Sequence, residues 1–492
     1  MVAMRFLLKF LYVASLVFIL LTFSGSLFVK AESQSLILLA EQNWDTYRLG
    51  GTCVFGTHNL YVTDVDGDGL IEVITGGFSY GADSNMSGSQ APLKVWNWNS
   101  ENVTLKSEAK WPGLLISLFA GDIDEDNTVE IITFSTSRSD TGNYGSIRIW
   151  HLINGDLTLQ TEIDCNRLGA AVFVGDADND GENEIVSVVQ NVASDVPELV
   201  LWNYQDNTLT LDKTQLLDVA DVTRANSVYV SDLDNDGKQE VVIGGYSDKL
   251  DESKGQLTIW QWNETDFALL ANHNWQLQEG TAKTIAGGVM GNTAVNNVKV
   301  ADLTGDGFKE IVTGGFTYDG ENVNGQIKVW SWTGTELTEK ASQEWANDYL
   351  TEVKCISLND VDGDGAIEIV QSGIIAAQGS FNSSDTAHDR AQLRIWAFSD
   401  NWLTLKHSVE WTFDDGSCAW NVGSGDLNMD GVVEIVTIGC SAYGSLCDPD
   451  MRIWALEAMA VNYTYVLLSA IVVGSLFAVI IFAIMILLKK RR

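Results

Sequence analysis

Apolar and polar residues alternate along this chain in short stretches, and one stretch recurs. An apolar-x-apolar triplet runs into Trp at Trp96, Trp150, Trp202, Trp260, Trp330, Trp396 and Trp454. Strict alternation of this kind predicts half-buried strands. A second outline, an apolar strand followed by polar residues and Trp, covers 102–111, 266–275, 336–345 and 402–411, with looser versions over 156–165 and 208–217. It also stands alone near the N-terminus, over 35–44. The units repeat every 54 to 70 residues, room for four short antiparallel strands and their turns, the content of one propeller blade. The last unit stops after its third strand, over 451–456, and the lone N-terminal strand supplies the missing fourth. The pattern therefore predicts an all-β fold over 35–456: a seven-bladed β-propeller of four-stranded antiparallel blades, closed by the N-terminal strand so that no terminal edge is left open.

The two ends read differently. Residues 1–31 place Arg5 and Lys9 before an apolar run ending near Ala31, a signal peptide or, alternatively, an uncleaved anchor. After a short linker over 457–465, residues 466–488 form an uncharged run of 23 residues, long enough to be a transmembrane helix. The basic tail 489–492 assigns its far side to the cytoplasm. These features predict a single-pass protein of the cell membrane with the propeller outside.

Between the first and second strand of each unit lies an acidic loop. The first is Asp64-Val-Asp66-Gly-Asp68-Gly-Leu-Ile-Glu72, with acids at positions 1, 3, 5 and 9 and Gly at position 6. Asp176, Asp178, Asp180 and Glu184 repeat it, as do Asp232, Asp234, Asp236 and Glu240, and Asp360, Asp362, Asp364 and Glu368. The loop of Asp122, Asp124, Asp126 and Glu130 has Asn127 at position 6. Two copies lose one charge at position 3: Asp302, Thr304, Asp306 and Glu310, and Asp426, Asn428, Asp430 and Glu434. Calcium takes six to eight oxygens at roughly 2.3 to 2.6 Å, and carboxylates at alternate positions of a tight loop can turn toward one ion. Gly at position 6 supplies the positive φ such a turn needs. Up to seven structural Ca2+ ions are expected, held more weakly where Thr304 and Asn428 stand.

The net charge of −37 leaves no basic surface for phosphate, so nucleic acid is excluded as a partner. Much of the charge is loop chemistry, since 26 of the 66 acidic residues occupy ligand positions. The six cysteines form no CxxC pair; Cys440 and Cys447 flank one short loop and are spaced for a local disulfide, while the others read equally well as buried thiols. His58, His151, His273, His388 and His407 fall in no zinc spacing, and neither a GxSxG nor a P-loop is present, so no enzyme is expected.

The loop and its following strand, as in Asp232-Leu-Asp-Asn-Asp-Gly-Lys-Gln-Glu240-Val-Val-Ile-Gly-Gly-Tyr246, resemble the FG-GAP and VCBS-type repeats known from the β-propeller of integrin α subunits. The resemblance implies calcium between the first two strands of each blade and a role in binding or adhesion at the cell surface. A protein or glycan ligand is then expected on the face opposite the calcium loops, with Arg48, His58, Tyr80, Arg167, Arg224, Tyr318, Arg390 and Trp420 as candidate contacts. A propeller-type enzyme acting on polysaccharide and a structural surface-layer component are the alternatives.

Overall fold

A computed structural model describes residues 34–43, 57–78, 89–139, 142–165, 167–191, 196–217, 222–249, 252–277, 284–285, 288–289, 292–376, 389–413, 416–440 and 449–458. The chain divides into two compact units, one of residues 36–456 and one of 1–35 with 457–492. All regular structure in the described residues is β.

The 36–456 unit is a β-propeller arrangement. In the first blade Thr57–Thr63, Glu72–Gly77, Gln90–Trp98 and Val103–Pro112 pair in order, each antiparallel to the next. The corresponding inner strands are Leu114–Gly121, Arg167–Gly175, Val222–Ser231, Thr293–Ala301, Leu350–Asn359 and Cys418–Gly425. Neighbouring inner strands contact one another in a closed circuit, Cys418–Gly425 meeting Thr57–Thr63. The N-terminal strand Gln34–Asn43 forms the outer edge of the sheet whose other strands are Pro449–Ala458, Glu434–Cys440 and Cys418–Gly425.

Two features of the expected architecture are corrected. The sheets are not seven separate blades: five are four-stranded, and the strands between Thr293 and Trp411 form one eight-stranded sheet. The join is a single backbone bridge, in which Leu350 pairs in parallel with Val323. The Val323 amide donates to the Tyr349 carbonyl at 3.0 Å. No helix occurs among the described residues, and none there is long and apolar enough to cross a membrane. The expected helix over 466–488 lies outside the described residues, as do 1–31, the linker from 459 on and the tail; the single-pass placement in a cell membrane has no structural support and is withdrawn.

Second strands are buried on both faces, which is why they read as continuous apolar runs rather than alternating ones; Glu310–Tyr318 and Glu368–Ala376 are buried throughout. Their side chains interleave with the next sheet, as where Ile132, Phe134 and Ile149 of one blade meet Val172, Ile185 and Trp202 of its neighbour. The recurring Trp of the third strand donates its indole N–H to a hydroxyl on the second strand: Trp96 to Thr75 at 2.9 Å, Trp202 to Ser187 at 2.9 Å and Trp330 to Thr313 at 3.0 Å. Trp260 instead donates to Thr258 on its own strand at 2.9 Å, since Ile243 stands at the second-strand position; Trp396 has no partner, Gln371 standing where five of the copies have Thr or Ser, and both amide atoms of Gln371 are also unpaired. The Trp that ends the outer strand packs on the third-strand Trp of the next four-stranded unit, with ring centroids 5.1 to 5.2 Å apart for Trp111–Trp150, Trp275–Trp330, Trp345–Trp396 and Trp411–Trp454. These tryptophans are thus packing residues between units.

Each inner strand carries a bulge at the same place, for example between Ala225 and Ser227. At four of these bulges the backbone of the second strand approaches so closely that a side chain would collide: a Cβ on Gly245 would lie 1.8 Å from the Arg224 carbonyl oxygen, and Gly315, Gly373 and Gly439 face inner-strand carbonyls in the same way, whereas Ser135 and Val189 stand at the equivalent place in two other units.

Candidate metal centre

Seven acidic loops connect the inner strands to the second strands, and all adopt one backbone course. The acid at position 1 ties the turn together: Asp64 accepts the Gly67 amide at 2.8 Å and the Gly69 amide at 2.9 Å, and Asp360 does the same for Gly363 and Gly365. The acid at position 5 folds back, accepting the amide of position 7, as Asp68 does from Leu70 and Asp236 from Lys238. Glu at position 9 opens the second strand and accepts the amide of position 2 in every copy, from Glu72 with Val65 at 3.0 Å to Glu434 with Leu427 at 2.8 Å. Position 2 is itself a buried apolar anchor: Val65, Ile123, Ala177, Leu233, Leu303, Val361 and Leu427.

Position 6 has positive φ in all seven loops, including Asn127 at 68°. So does position 4, occupied by Gly67, Glu125, Asn179, Asn235, Gly305, Gly363 and Met429. Glycine or Asn at five of these seven was the available sequence signal for this second left-handed residue.

Five loops bring three acids together with one donor oxygen each within 4.8 Å: Asp64, Asp66 and Glu72; Asp122, Asp124 and Glu130; Asp176, Asp178 and Glu184; Asp232, Asp234 and Glu240; Asp360, Asp362 and Glu368. The convergent positions are 1, 3 and 9. Position 5, Asp68, Asp126, Asp180, Asp236 and Asp364 in these loops, is outside the groups and has one oxygen on the amide of position 7. With Thr304 or Asn428 at position 3, the loops of Asp302, Asp306 and Glu310 and of Asp426, Asp430 and Glu434 hold no such triad. Asn428 instead donates its amide to Glu434 Oε1 at 3.1 Å.

The electrostatics favour a cation. Glu at position 9 is almost fully buried in every loop. Burial, with the neighbouring aspartates adding to it, pushes Glu184 up to about 8 and Glu130, Glu240, Glu368 and Glu434 up to about 7; Glu72 and Glu310 move in the same direction. Several oxygens in the triads are buried without a hydrogen-bond partner: Asp124 Oδ1, Glu130 Oε1, Asp178 Oδ1, Asp232 Oδ1 and Glu368 Oε1. His151 Nε2 is 3.0 Å from Glu130 Oε1 but is not aligned for a hydrogen bond, so both atoms stay unpaired. Buried polar atoms are normally satisfied, and anionic oxygens converging without donors suit a hard cation.

Three loops hold a cation of the chain's own. Lys106 Nζ sits 2.6 Å from Asp66 and 2.8 Å from Glu72, with Asp68 at 3.7 Å. Lys406 lies 3.2 Å from Asp362 and 3.7 Å from Asp364, and Lys213 pairs with Asp178. Lys106 and Lys406 are the extra residues of bulges in outer strands opposite Trp96 and Trp396, which is what aims them at the loop of their own blade. Sequence reasoning missed them because the pairing is set by sheet geometry.

The candidate ligand contacts fare differently from one another. Arg48 and Tyr80 lie outside the described residues, and so does the side chain of His58. Arg167 Nε donates to Glu198 at 2.7 Å, Arg390 lies 3.3 Å from Glu410 and 3.6 Å from Asp348, and the Tyr318 hydroxyl donates to the Gly320 carbonyl. Arg224 is half-buried on its inner strand. Trp420 donates its indole to Cys440 Sγ at 3.1 Å and carries the Lys354 ammonium over its ring at 4.8 Å. Cys440 is in a disulfide; its expected partner Cys447 lies outside the described residues. Cys165, Cys355 and Cys418 are free.

Comparison of the chain with protein-family models and with curated proteins finds no match.

Proposed function

We propose that this chain is a calcium-stiffened β-propeller of the FG-GAP/VCBS type, a non-catalytic scaffold that binds a protein or glycan ligand on the face away from the loops. The observation that carries the metal is the set of donorless buried oxygens in the acid triads. Asp at positions 1 and 3 and Glu at position 9 would hold the ion, which would supply the positive charge those oxygens lack. The disulfide at Cys440 fits an oxidising compartment, where calcium is plentiful. Sites of this exposed kind bind with dissociation constants of about 10⁻⁴ to 10⁻³ M. At one to ten times that concentration each occupied loop adds roughly 0.4 to 1.4 kcal/mol, so five triads add about 2 to 7 kcal/mol.

A calorimetric scan with calcium and with chelator tests the metal. The expected result is a melting temperature several degrees higher in calcium; equal temperatures reject it. Arrays of glycans and proteins probed with the calcium-loaded chain test the binding role, and silence on both counts against it.

A further inference from the structure

The inner strands enclose a cavity of about 530 Å³ that shares none of its lining residues with the acid triads. Its wall is asymmetric at one level. Three residues before the first loop acid, one arc carries Tyr61, Phe119, Phe173 and Tyr229, and the other carries Lys299, Ser357 and Gly423. The four aromatic rings contact one another in sequence, with centroids 4.8, 5.1 and 4.2 Å apart. Opposite them the small residues leave space, and Lys299 brings the one positive charge at that level.

Three polar groups on this wall have no hydrogen-bond or ion-pair partner among the described residues: the Lys299 ammonium and the hydroxyls of Tyr61 and Tyr229. Other polar groups around the cavity are engaged. Ser357 and Ser424 share a hydrogen bond at 2.8 Å, Asn226 donates to the Val295 carbonyl at 2.8 Å, and Lys354 pairs with Glu352 at 2.7 Å. Burial holds the Tyr61 and Tyr229 hydroxyls well above their ordinary range, so both remain donors. An apolar ring surface with a few converging, unsatisfied polar groups is the usual composition of a small-molecule site.

We propose that this cavity binds a small ring-bearing carboxylate, with the ring on Phe119 and Phe173, the carboxylate on Lys299 and a further polar group on the hydroxyls of Tyr61 and Tyr229. Acidic sugars and aromatic acids share this chemistry, since both offer a ring face to aromatic side chains. The site is independent of the metal reading, because it uses no triad residue.

Isothermal titration of the full chain, in calcium and again in chelator, would use galacturonate and 4-hydroxybenzoate as probes, with galactose and 4-hydroxybenzyl alcohol as neutral counterparts. At least one acid should bind about tenfold more tightly than its neutral counterpart, and Lys299→Met should remove about tenfold or more of that affinity, as loss of a charge-assisted hydrogen bond does. Lys299→Arg, which keeps the charge, should stay within about threefold of the parent. The double variant Tyr61→Phe/Tyr229→Phe removes only two oxygens and should weaken binding several-fold, so the site is tested even if the methionine variant does not fold. The proposal is overturned if neither acid binds, if the neutral compounds bind equally well, or if a folded Lys299→Met chain binds the acid as tightly as the parent.

Discussion

Replacing Glu240 with Gln separates the cost of an unneutralised buried acid from the gain of holding a metal. Glu240 is fully buried, accepts the Leu233 amide at 3.0 Å and the Gln261 side-chain amide at 2.7 Å, and has no cation of the chain beside it. Burial raises its pKa from 4.5 to about 7. Between those values the folded, metal-free chain holds a proton that the unfolded chain has released, so stability falls as pH rises through this window. Above pH 7 the full penalty applies: about 2.5 units at 1.36 kcal/mol each is at most about 3 kcal/mol. Gln keeps an acceptor for Leu233, and Gln261 can turn its amide to pair with the new one. For a unit of roughly 420 residues the unfolding entropy is about 0.9 kcal/mol/K, so Glu240→Gln should melt up to about 3 °C higher than the parent at pH 8 in chelator, and at the same temperature at pH 4. In saturating calcium the order should reverse, because the variant has lost a ligand at that loop. Scanning calorimetry at both pH values, with and without calcium, reads all four numbers. A variant that melts lower than the parent at pH 8 in chelator would refute the reasoning, since the carboxylate would then stabilise the fold without a metal.

Lys106→Met removes the ammonium that neutralises Asp66 and Glu72, so the chelated chain should melt lower and the rise on adding calcium should grow; a smaller rise would mean that the lysine does not compete with the metal. Gly245→Ala drives a Cβ into the Arg224 carbonyl and should cost about 2 to 3 kcal/mol, read as a lower urea midpoint. Gln371→Thr restores the hydroxyl that Trp396 lacks and removes two unpaired buried atoms, so it should stabilise by about 1 kcal/mol in the same titration; a loss of stability would show that the cavity left by the shorter side chain dominates.

What could be read from the sequence was what repeats locally. Glu72 and its six counterparts open second strands because the acid that closes the turn also caps it. The Trp positions follow the alternation of the third strand and end at contacts between neighbouring four-stranded units. The left-handed residue at position 4 was also legible, in the Gly and Asn of five copies, but was overlooked beside the stronger signal at position 6. What failed depends on single distant pairings. Whether two blades stay separate turned on one backbone bridge from Val323 to Leu350, to which side-chain periodicity is blind. Arg167 and Arg390 read as free loop cations until Glu198, Asp348 and Glu410 are brought to them by the fold.

The division of labour within each loop explains why seven copies share one shape while their charges drift. At position 1 both oxygens bind backbone amides in six loops and one oxygen does so in the loop of Asp232, and at position 9 one oxygen binds the amide of position 2, so the turn closes without any ion. Glu125 and Met429 hold left-handed backbone at position 4, and Thr304 and Asn428 replace an acid at position 3, without altering that course. The second oxygen at position 9 and the acid at position 3 are therefore free to vary in what they meet: Lys106 in the first loop, Gln261 in the loop of Glu240, Asn428 in the last. Backbone hydrogen bonds fix the scaffold, and the remaining oxygens set how strongly each site draws a cation. On this account calcium changes the stability of the ring in steps that differ from loop to loop, largest where buried oxygens have no side-chain donor of the chain to meet, as with Asp232 Oδ1.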